Sequence, residues 1–220
     1  MKTLLACACV FLLAACGSGG PPPPDWKTDA ADLITRYQKH ALLGENTLAE
    51  RYFQQALVAT GGAGQLEETA RLWLVRCATR RAMLIQDSCD DYRTLVEAGA
   101  RNDDLAYYQW ITLQWQTLNP AHLPAHYARL LGAEPGQRSA QLAAMTDPLS
   151  RLLAASLLIQ QNPDDAPALA SAIDTASAQG WRQPLLTLLK LRLTRPADPE
   201  TLRKTQLQLQ LVETALMPAK

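Results

Sequence analysis

The residue types that most often bind metals or perform catalysis are present, but their spacing matches no familiar active site. The chain holds three histidines, and two of them, His122 and His126, stand four positions apart. That spacing puts two metal ligands on one face of a helix. Pro124 interrupts the pair, however, and no glutamate follows His122 as it does in zinc-binding helices. We therefore predict no metal site and no bound cofactor.

Pairs of adjacent aspartates are the remaining candidates for acid–base chemistry. Each pair stands at the start of a predicted helix, where acidic side chains are stabilised by the helix dipole. The pairs are Asp90 and Asp91, Asp103 and Asp104, and Asp164 and Asp165. No glycine-rich phosphate loop and no Gly-x-Ser-x-Gly motif accompanies them. We predict that the protein is not an enzyme, and a cell-wall hydrolase is the least favoured function.

Two cysteines outside the N-terminal segment, Cys77 and Cys89, could form a disulfide in an oxidising compartment. Cys77 lies inside a predicted helix and Cys89 begins the next one, and a bridge requires their Cα atoms to lie within about 7 Å. Two interpretations stay open. A bridge would stabilise the fold by roughly 3 kcal/mol, whereas two buried thiols would act as small apolar side chains.

Arginines on the third predicted helix form one candidate surface for binding a partner. Four arginines, Arg71, Arg76, Arg80 and Arg81, lie on this helix, and Arg76 and Arg80 are one turn apart. One interpretation is a solvated face that pairs with acidic neighbours on the same helix. The alternative is a docking surface for an acidic partner protein.

Aromatic residues on a helix predicted over 103–118 form a second candidate surface. The helix is apolar on two sides, which is typical of a central helix in a bundle. Alternatively, Tyr107 and Trp110, beside Gln114, line a groove for a peptide or a partner helix, because aromatic side chains anchor interfaces.

The N-terminus has the pattern of a secretory signal, with Lys2 followed by an apolar run over 4–13. The run is too short to span a bilayer. It ends in Leu13-Ala14-Ala15-Cys16, which resembles the lipobox of bacterial lipoproteins. The resemblance implies that residues 1–15 are removed and that Cys16 carries a diacylglycerol and an N-acyl chain such as palmitate. Several acyl chains together anchor a protein stably.

The compartment and the domain plan follow from this N-terminus. Gly17, not an aspartate, follows the lipid-acceptor cysteine. By the sorting rule of enteric bacteria this implies the outer membrane, with the domain facing the periplasm. Residues 16–27, rich in Gly, Ser and Pro, are predicted to be a tether. Residues 28–218 are predicted to be a single domain. Its near-zero net charge argues against binding to nucleic acid.

All long segments after the tether have helical periodicity, and the glycines and prolines fall at the breaks between them. We predict an all-α fold of about nine or ten helices in stacked hairpins, similar to a tetratricopeptide array or a partial α-solenoid. Two stretches, 190–193 and 206–211, alternate as strands do, but their length and capping favour helix.

Residues 30–57 resemble a tetratricopeptide repeat. Gly44 stands at the turn between two helices, and Ala49, Phe53 and Ala56 follow at the spacing which that family uses for close helix contact. The resemblance implies a helical hairpin that packs against its neighbours.

The segment Arg71-Leu72-Trp73-Leu74-Val75-Arg76-Cys77-Ala78, together with the Gln/Leu-rich stretch 206–211, resembles the QseG family. Members of that family are outer-membrane lipoproteins that act with a periplasm-sensing histidine kinase. We expect this chain to be a lipid-anchored adaptor that binds another envelope protein through a helical surface. The alternatives are a QseG-like accessory lipoprotein of a histidine kinase and a carrier of a small ligand.

Overall fold

The computed structural model describes residues 22–99 and 104–216. All regular structure in these two ranges is helical, with no strand, so the all-α prediction is confirmed. Two single-turn 3-10 helices, Pro120–His122 and Pro135–Gln137, flank the sixth α-helix. The α-helices of the described ranges are α1 (Asp25–Leu43), α2 (Asn46–Gly62), α3 (Leu66–Ala82), α4 (Asp90–Glu97), α5 (Leu105–Ile111), α6 (Ala125–Gly132), α7 (Arg138–Ala143), α8 (Pro148–Gln161), α9 (Ala166–Ala178), α10 (Arg182–Leu193) and α11 (Pro199–Leu216).

Helix boundaries agree with the sequence pattern at most positions. The alternating stretches 190–193 and 206–211 are helical and belong to α10 and α11. Helix α1 begins at Asp25, directly after the proline run, with an acidic residue in its first turn where the helix dipole favours one. Residues 25–27, which the sequence placed in the tether, therefore belong to the first helix.

Helices α3 and α8 form the centre of the fold. Every residue from 152 to 159 is buried, as expected for a helix that is apolar on all sides. The Ser156 hydroxyl donates to the carbonyl of Ala82 at 2.8 Å, and Gln160 Nε2 donates to the carbonyl of Arg81 at 3.1 Å. These bonds satisfy carbonyl groups in the last turn of α3 that the helix itself leaves without a partner.

The helix predicted over 103–118 is much shorter than the sequence indicated. Helix α5 ends at Ile111, because Leu113 takes a left-handed conformation with φ 63°. The backbone N–H of Gln114 then donates to the carbonyl of Gln109 at 2.9 Å, which closes the end of the helix. The chain folds back after this turn. The central position that the aromatic pattern predicted for this segment is occupied by α8.

The first hairpin, α1–α2, turns at Gly44, whose backbone is left-handed with φ 81°. Phe53 on α2 is fully buried beside Tyr37 of α1. Helices α8–α9 and α10–α11 form further hairpins, and α10 also packs against α1, so the array returns to its first hairpin. Arg182 of α10 closes this contact by donating from Nε to the carbonyl of Leu43 at 3.1 Å.

Within the two described ranges, no helix has both the length and the hydropathy required to span a bilayer. The predicted signal peptide, 1–15, and the predicted lipid acceptor, Cys16, lie outside the described residues.

Candidate functional site

A polar cleft of about 730 Å³ opens where the end of α3, the loop over 83–89, the first turn of α4 and the end of α5 meet. Three arginines and one carboxylate line it, with hydroxyl and amide groups between them. We call it the arginine cleft. Its lining residues are Arg80, Arg81, Gln86, Asp87, Ser88, Arg93, Tyr108, Thr112 and Gln114.

Backbone strain is concentrated around the arginine cleft. Leu84, Cys89 and Leu113 have φ values of 60°, 57° and 63°, and they are the non-glycine residues with positive φ in the described ranges. Cys89 and Leu113 are adjacent in sequence to residues that line the cleft, and Leu84 lies in the loop over 83–89. A left-handed conformation costs roughly 1–2 kcal/mol for a residue with a side chain. Strain of this kind is often found at binding and switch regions.

A disulfide between Cys77 and Cys89 ties the loop of the arginine cleft to the middle of α3. The two Cα atoms lie 5.4 Å apart, inside the range that a bridge requires. Both residues are buried, so the bridge lies beneath the loop and away from solvent. Asp87 lies close to the two sulfur atoms in a group that could otherwise hold a metal, but sulfurs bonded to each other cannot ligate one.

The single carboxylate that lines the cleft is already bonded within the protein. Asp87 Oδ2 lies 2.7 Å from Nε of Arg80, and Asp87 Oδ1 accepts from the backbone N–H of Cys89 at 2.8 Å. The first contact neutralises Arg80, and the second fixes the turn that leads into α4. Asp87 therefore orders the wall of the cleft.

Arg81 is the most deeply buried cation of the cleft, with 6% of its surface exposed. Its Nε donates to the carbonyl of Ile111 at 2.9 Å, and its Nη1 donates to Oε1 of Gln86 at 3.1 Å. Both acceptors are neutral. Burial lowers the pKa of Arg81 below its usual value, and the charge of Asp87 partly opposes that shift. An arginine nevertheless stays protonated in proteins.

The outer rim of the cleft is formed by α4. Arg93 is mostly exposed and pairs with Asp90 at 2.8 Å and with Glu97 at 3.6 Å. On the facing wall, the ring of Tyr108 stacks on that of Tyr92, with centroids 5.3 Å apart. The rim therefore presents exposed ion pairs beside an aromatic surface.

The cleft is suited to binding an anionic or polar group. Guanidinium groups donate several hydrogen bonds in a fixed planar geometry that matches carboxylates. Gln86 and Gln114 add side-chain amides that both donate and accept, whereas the hydroxyl groups of Ser88 and Thr112 donate to Asp90 and to the carbonyl of Tyr108 and offer a ligand only their oxygens. General acid–base chemistry needs a free acid or base at the reacting bond, and the cleft's one carboxylate is held in an ion pair.

Two of the five predicted partner-binding residues, Arg80 and Gln114, meet in the arginine cleft. Arg76 instead lies against α2, where Nη2 is 3.0 Å from Oε2 of Glu50 and the guanidinium stacks 4.5 Å above the ring of Phe53. Arg76 and Arg80 therefore occupy different environments, although they are one helical turn apart.

The prediction that Trp110 lines a docking groove is wrong. The side chain is fully buried, with its ring stacked on that of Trp115 at 4.8 Å and packed against that of Tyr127 at 5.2 Å. A ring inside the core cannot contact a partner. The sequence could not reveal this, because α5 ends early and the following turn folds Trp115 over Trp110.

Tyr107 is half-buried and lines a small, partly enclosed cavity of about 210 Å³. Burial raises the pKa of Tyr107 well above its usual value and that of Tyr127 to about 12. The two hydroxyl groups bond to each other and stay neutral at physiological pH. The cavity is smaller than the roughly 300 Å³ at which ligand pockets usually begin.

Sequence reasoning placed Arg80 and Arg81 on a candidate docking helix and identified Gln114, but it did not select Asp87 or Ser88 as site residues. A usable signal was present. Two adjacent arginines stand near the end of the helix, and a loop that ends at the second cysteine of the pair follows them. The position of α5 across this loop had no comparable signal.

Exposed apolar side chains form two other surface features. A groove of about 570 Å³ between α1 and α2 contains Leu33, Val58 and Ala59, and Val58 is 73% exposed. On α11, Leu207 and Leu211 are 54% and 72% exposed and lie one turn apart. The groove is also lined by polar side chains, namely Asp29, Asp32, Arg51, Gln54 and Gln55, and it lies on the outer face of the first hairpin.

Comparison of the chain with protein-family models, curated proteins and solved structures finds no match in any of the three. Its function is therefore inferred from the residues of the arginine cleft.

Proposed function

We propose that this protein is a lipid-anchored adaptor of the bacterial envelope that binds a segment of another envelope protein in the arginine cleft. The lipid on Cys16 would hold the helical domain at the outer membrane, facing the periplasm. Eight residues lie between Cys16 and Asp25, where α1 begins, and an extended chain over that span reaches about 30 Å. The cleft can therefore meet a partner close to the membrane surface.

The observation that supports this proposal is the cleft itself, a polar concavity built from four chain segments and held by a disulfide. Maintaining three left-handed residues around it lowers stability, and the fold retains them. A loop that is fixed to α3 needs little ordering when a ligand arrives. Preorganisation of this kind strengthens binding because less conformational entropy is lost.

Binding is favoured over catalysis because the cleft offers donors and no free acid or base. A carrier of small ligands would instead use the tyrosine cavity, which is small, or the open groove between α1 and α2, in which no arginine is buried. A periplasm-sensing histidine kinase is the partner that the QseG resemblance suggests. Such a kinase remains one member of the broader class of envelope proteins that the proposal covers.

Crosslinking in living cells tests the adaptor function. A photoreactive amino acid is placed at Ser88 or at Gln114 in the full chain, including its signal and lipid-acceptor cysteine. Both side chains are exposed and line the cleft. We expect the same envelope protein to be captured from both positions. The matched control is the same amino acid at Gln206, which is exposed on α11.

The result decides the proposal directly. Recurrent capture of one protein from the cleft, but not from Gln206, supports an adaptor and identifies its partner. Failure of both cleft positions to capture a protein, with normal expression and membrane fractionation, contradicts it. Membrane fractionation of Cys16→Ala tests the anchor separately, since this variant should move from the membrane to the soluble fraction.

A further inference from the structure

We infer that the arginine cleft recognises an acidic side chain, Asp or Glu, in an extended segment of its partner, and that Arg81 supplies the guanidinium that binds it. This inference rests on the proposed adaptor function and defines the chemistry of the same site.

Charge pairing distinguishes Arg81 from the other two arginines. Arg80 pairs with Asp87, and Arg93 pairs with Asp90 and Glu97. Among the residues that the structure describes, no carboxylate lies within ion-pair distance of Arg81, whose hydrogen bonds go to a backbone carbonyl and an amide oxygen. Arg81 is also the most buried of the three.

A buried cation that has no ion pair at contact distance is in an unfavourable arrangement, even though the charge of Asp87 acts on Arg81 from further away. Removing a charge from water is costly, and only a nearby opposite charge or several good hydrogen bonds offset that cost. Two neutral acceptors offset part of it for Arg81. A ligand carboxylate that enters the cleft would supply the missing charge, and the cleft is the solvent-facing side from which it can approach.

The number of unmatched charges indicates a carboxylate and not a phosphate. One guanidinium lacks an ionic partner, which matches the single negative charge of a carboxylate. Asp87 lines the same wall, so a second negative charge on the ligand would be repelled by it. A phosphate monoester carries close to two charges at neutral pH.

The shape of the cleft indicates a peptide and not a free organic acid. A volume of about 730 Å³ is within the upper range for ligand sites and far exceeds one carboxylate group. The amides of Gln86 and Gln114 can pair with the N–H and C=O groups of an extended backbone. Tyr108 adds an aromatic surface, which is common where proteins bind peptides.

Changing the charge of one exposed residue tests the inference without disturbing the core. Gln114 lines the cleft and is exposed, and Glu has nearly its shape. The photoreactive amino acid stays at Ser88. We expect Gln114→Glu to lower partner capture by about tenfold, because the added carboxylate repels the ligand and competes for Arg81. Gln114→Lys should raise capture. Gln206→Glu, the same charge change on α11, should leave it unchanged.

A second variant addresses Arg81 itself. Arg81→Lys keeps the positive charge but removes the planar fork of donors, and a lysine cannot replace a bidentate arginine. We expect capture to fall by about fivefold or more. Because Arg81 also bonds to Ile111, the melting temperature of the variant is measured beside capture, and the Gln114 series remains decisive if the variant unfolds.

Mass spectrometry of the crosslinked segment completes the test. We expect an Asp or Glu within a few residues of the crosslinked atom, and its replacement by the amide should lower capture as Gln114→Glu does. If Ser88 captures no protein at all, the adaptor function fails and this inference fails with it. If a partner is captured equally by the Gln114 variants, the adaptor function stands and the carboxylate inference is overturned.

Discussion

Helix α3 places arginines in two regions that differ in how completely the chain satisfies them. At the α2–α3 interface, Arg76 has an ion pair with Glu50 and stacks on the rings of Phe53 and Trp73. In the arginine cleft, Arg81 is more deeply buried and bonds only to neutral acceptors. Two arginines five positions apart on one helix therefore differ. Arg76 has an ion pair within the chain, whereas Arg81 has none among the residues that the structure describes.

The difference shows which observation points to function. Burial alone does not point to function, because both arginine side chains are at least partly buried. A fully matched arginine is explained by the stability of the fold, since its charge and its flat face both find partners within the chain. An arginine that has no ion pair within the chain adds less to stability, and we infer from its place in an open cleft that it serves to bind a ligand. Stability and binding should therefore respond to different substitutions.

The largest effect on stability is expected for Phe53→Ala at the α2–α3 interface. Phe53 is fully buried and lies 5.2 Å from the ring of Tyr37 and 4.8 Å from that of Trp73. Its truncation leaves a cavity, and we expect the free energy of unfolding to fall by about 3–5 kcal/mol. Urea denaturation measures this loss. Leu207→Ala on the exposed face of α11 is the control and should change stability by less than about 0.5 kcal/mol.

An intermediate effect is expected from loss of the disulfide, because it fixes the loop of the cleft. The bridge joins residues separated by 12 positions, and its removal should lower stability by roughly 3 kcal/mol. Unlike Phe53→Ala, reduction should also lower partner capture at temperatures where the protein stays folded. Thermal unfolding with and without a thiol reductant measures the first effect. The double variant C77A/C89A should melt at one temperature in both conditions, and an equal response from the wild type would contradict the prediction.

The α1–α2 hairpin, whose second helix carries Glu50 and Phe53 to the α2–α3 interface, could largely be predicted from the sequence. The turn at Gly44 and the spacing of Ala49, Phe53 and Ala56 indicate a helical hairpin, because these features depend on residues near one another in the chain. The predicted seam positions are the buried ones. Because the pattern depends on residues close in sequence, the hairpin can be predicted without knowing how the rest of the chain folds.

The arginine cleft could be predicted only in part, because it depends on residues that meet through tertiary packing. Leu113 ends α5 in a left-handed conformation that leucine rarely adopts, so no turn signal announces it. The early end of α5 brings the carbonyl of Ile111 to Arg81 and buries Trp110. Whether an arginine finds an ion-pair partner depends on such tertiary contacts, which a single sequence does not show.

A smaller effect is expected from pH, and it belongs to the α2–α3 interface. Burial raises the pKa of Tyr37 to about 12, although the charges of Arg76 and Arg80 oppose the shift. The folded state therefore favours the neutral hydroxyl. Its contribution to stability is complete below about pH 10 and is lost as pH rises toward 12, with about 1 kcal/mol gone near pH 11.

Urea denaturation between about pH 8 and about pH 11 measures this loss. Tyr127, whose pKa is raised to a similar value, contributes to the same trend. Tyr37→Phe should abolish only the part of this pH-dependent loss of stability that comes from Tyr37, and the part from Tyr127 should remain. An unchanged pH dependence in that variant would show that Tyr37 ionises as easily in the folded protein as in the unfolded chain.

The smallest effect on stability is expected from the matched pair Arg76→Lys and Arg81→Lys, and this pair compares the two regions most directly. A lysine at Arg76 keeps the charge opposite Glu50 but loses the stacking on Phe53, so stability should fall by about 0.5–1 kcal/mol. Partner capture from Ser88 should not change. A lysine at Arg81 should cost a similar amount through its lost bond to Ile111 and should also lower capture. Equal effects of the two variants on capture, in either direction, would mean that the unmatched charge of Arg81 does not distinguish the cleft from the interface.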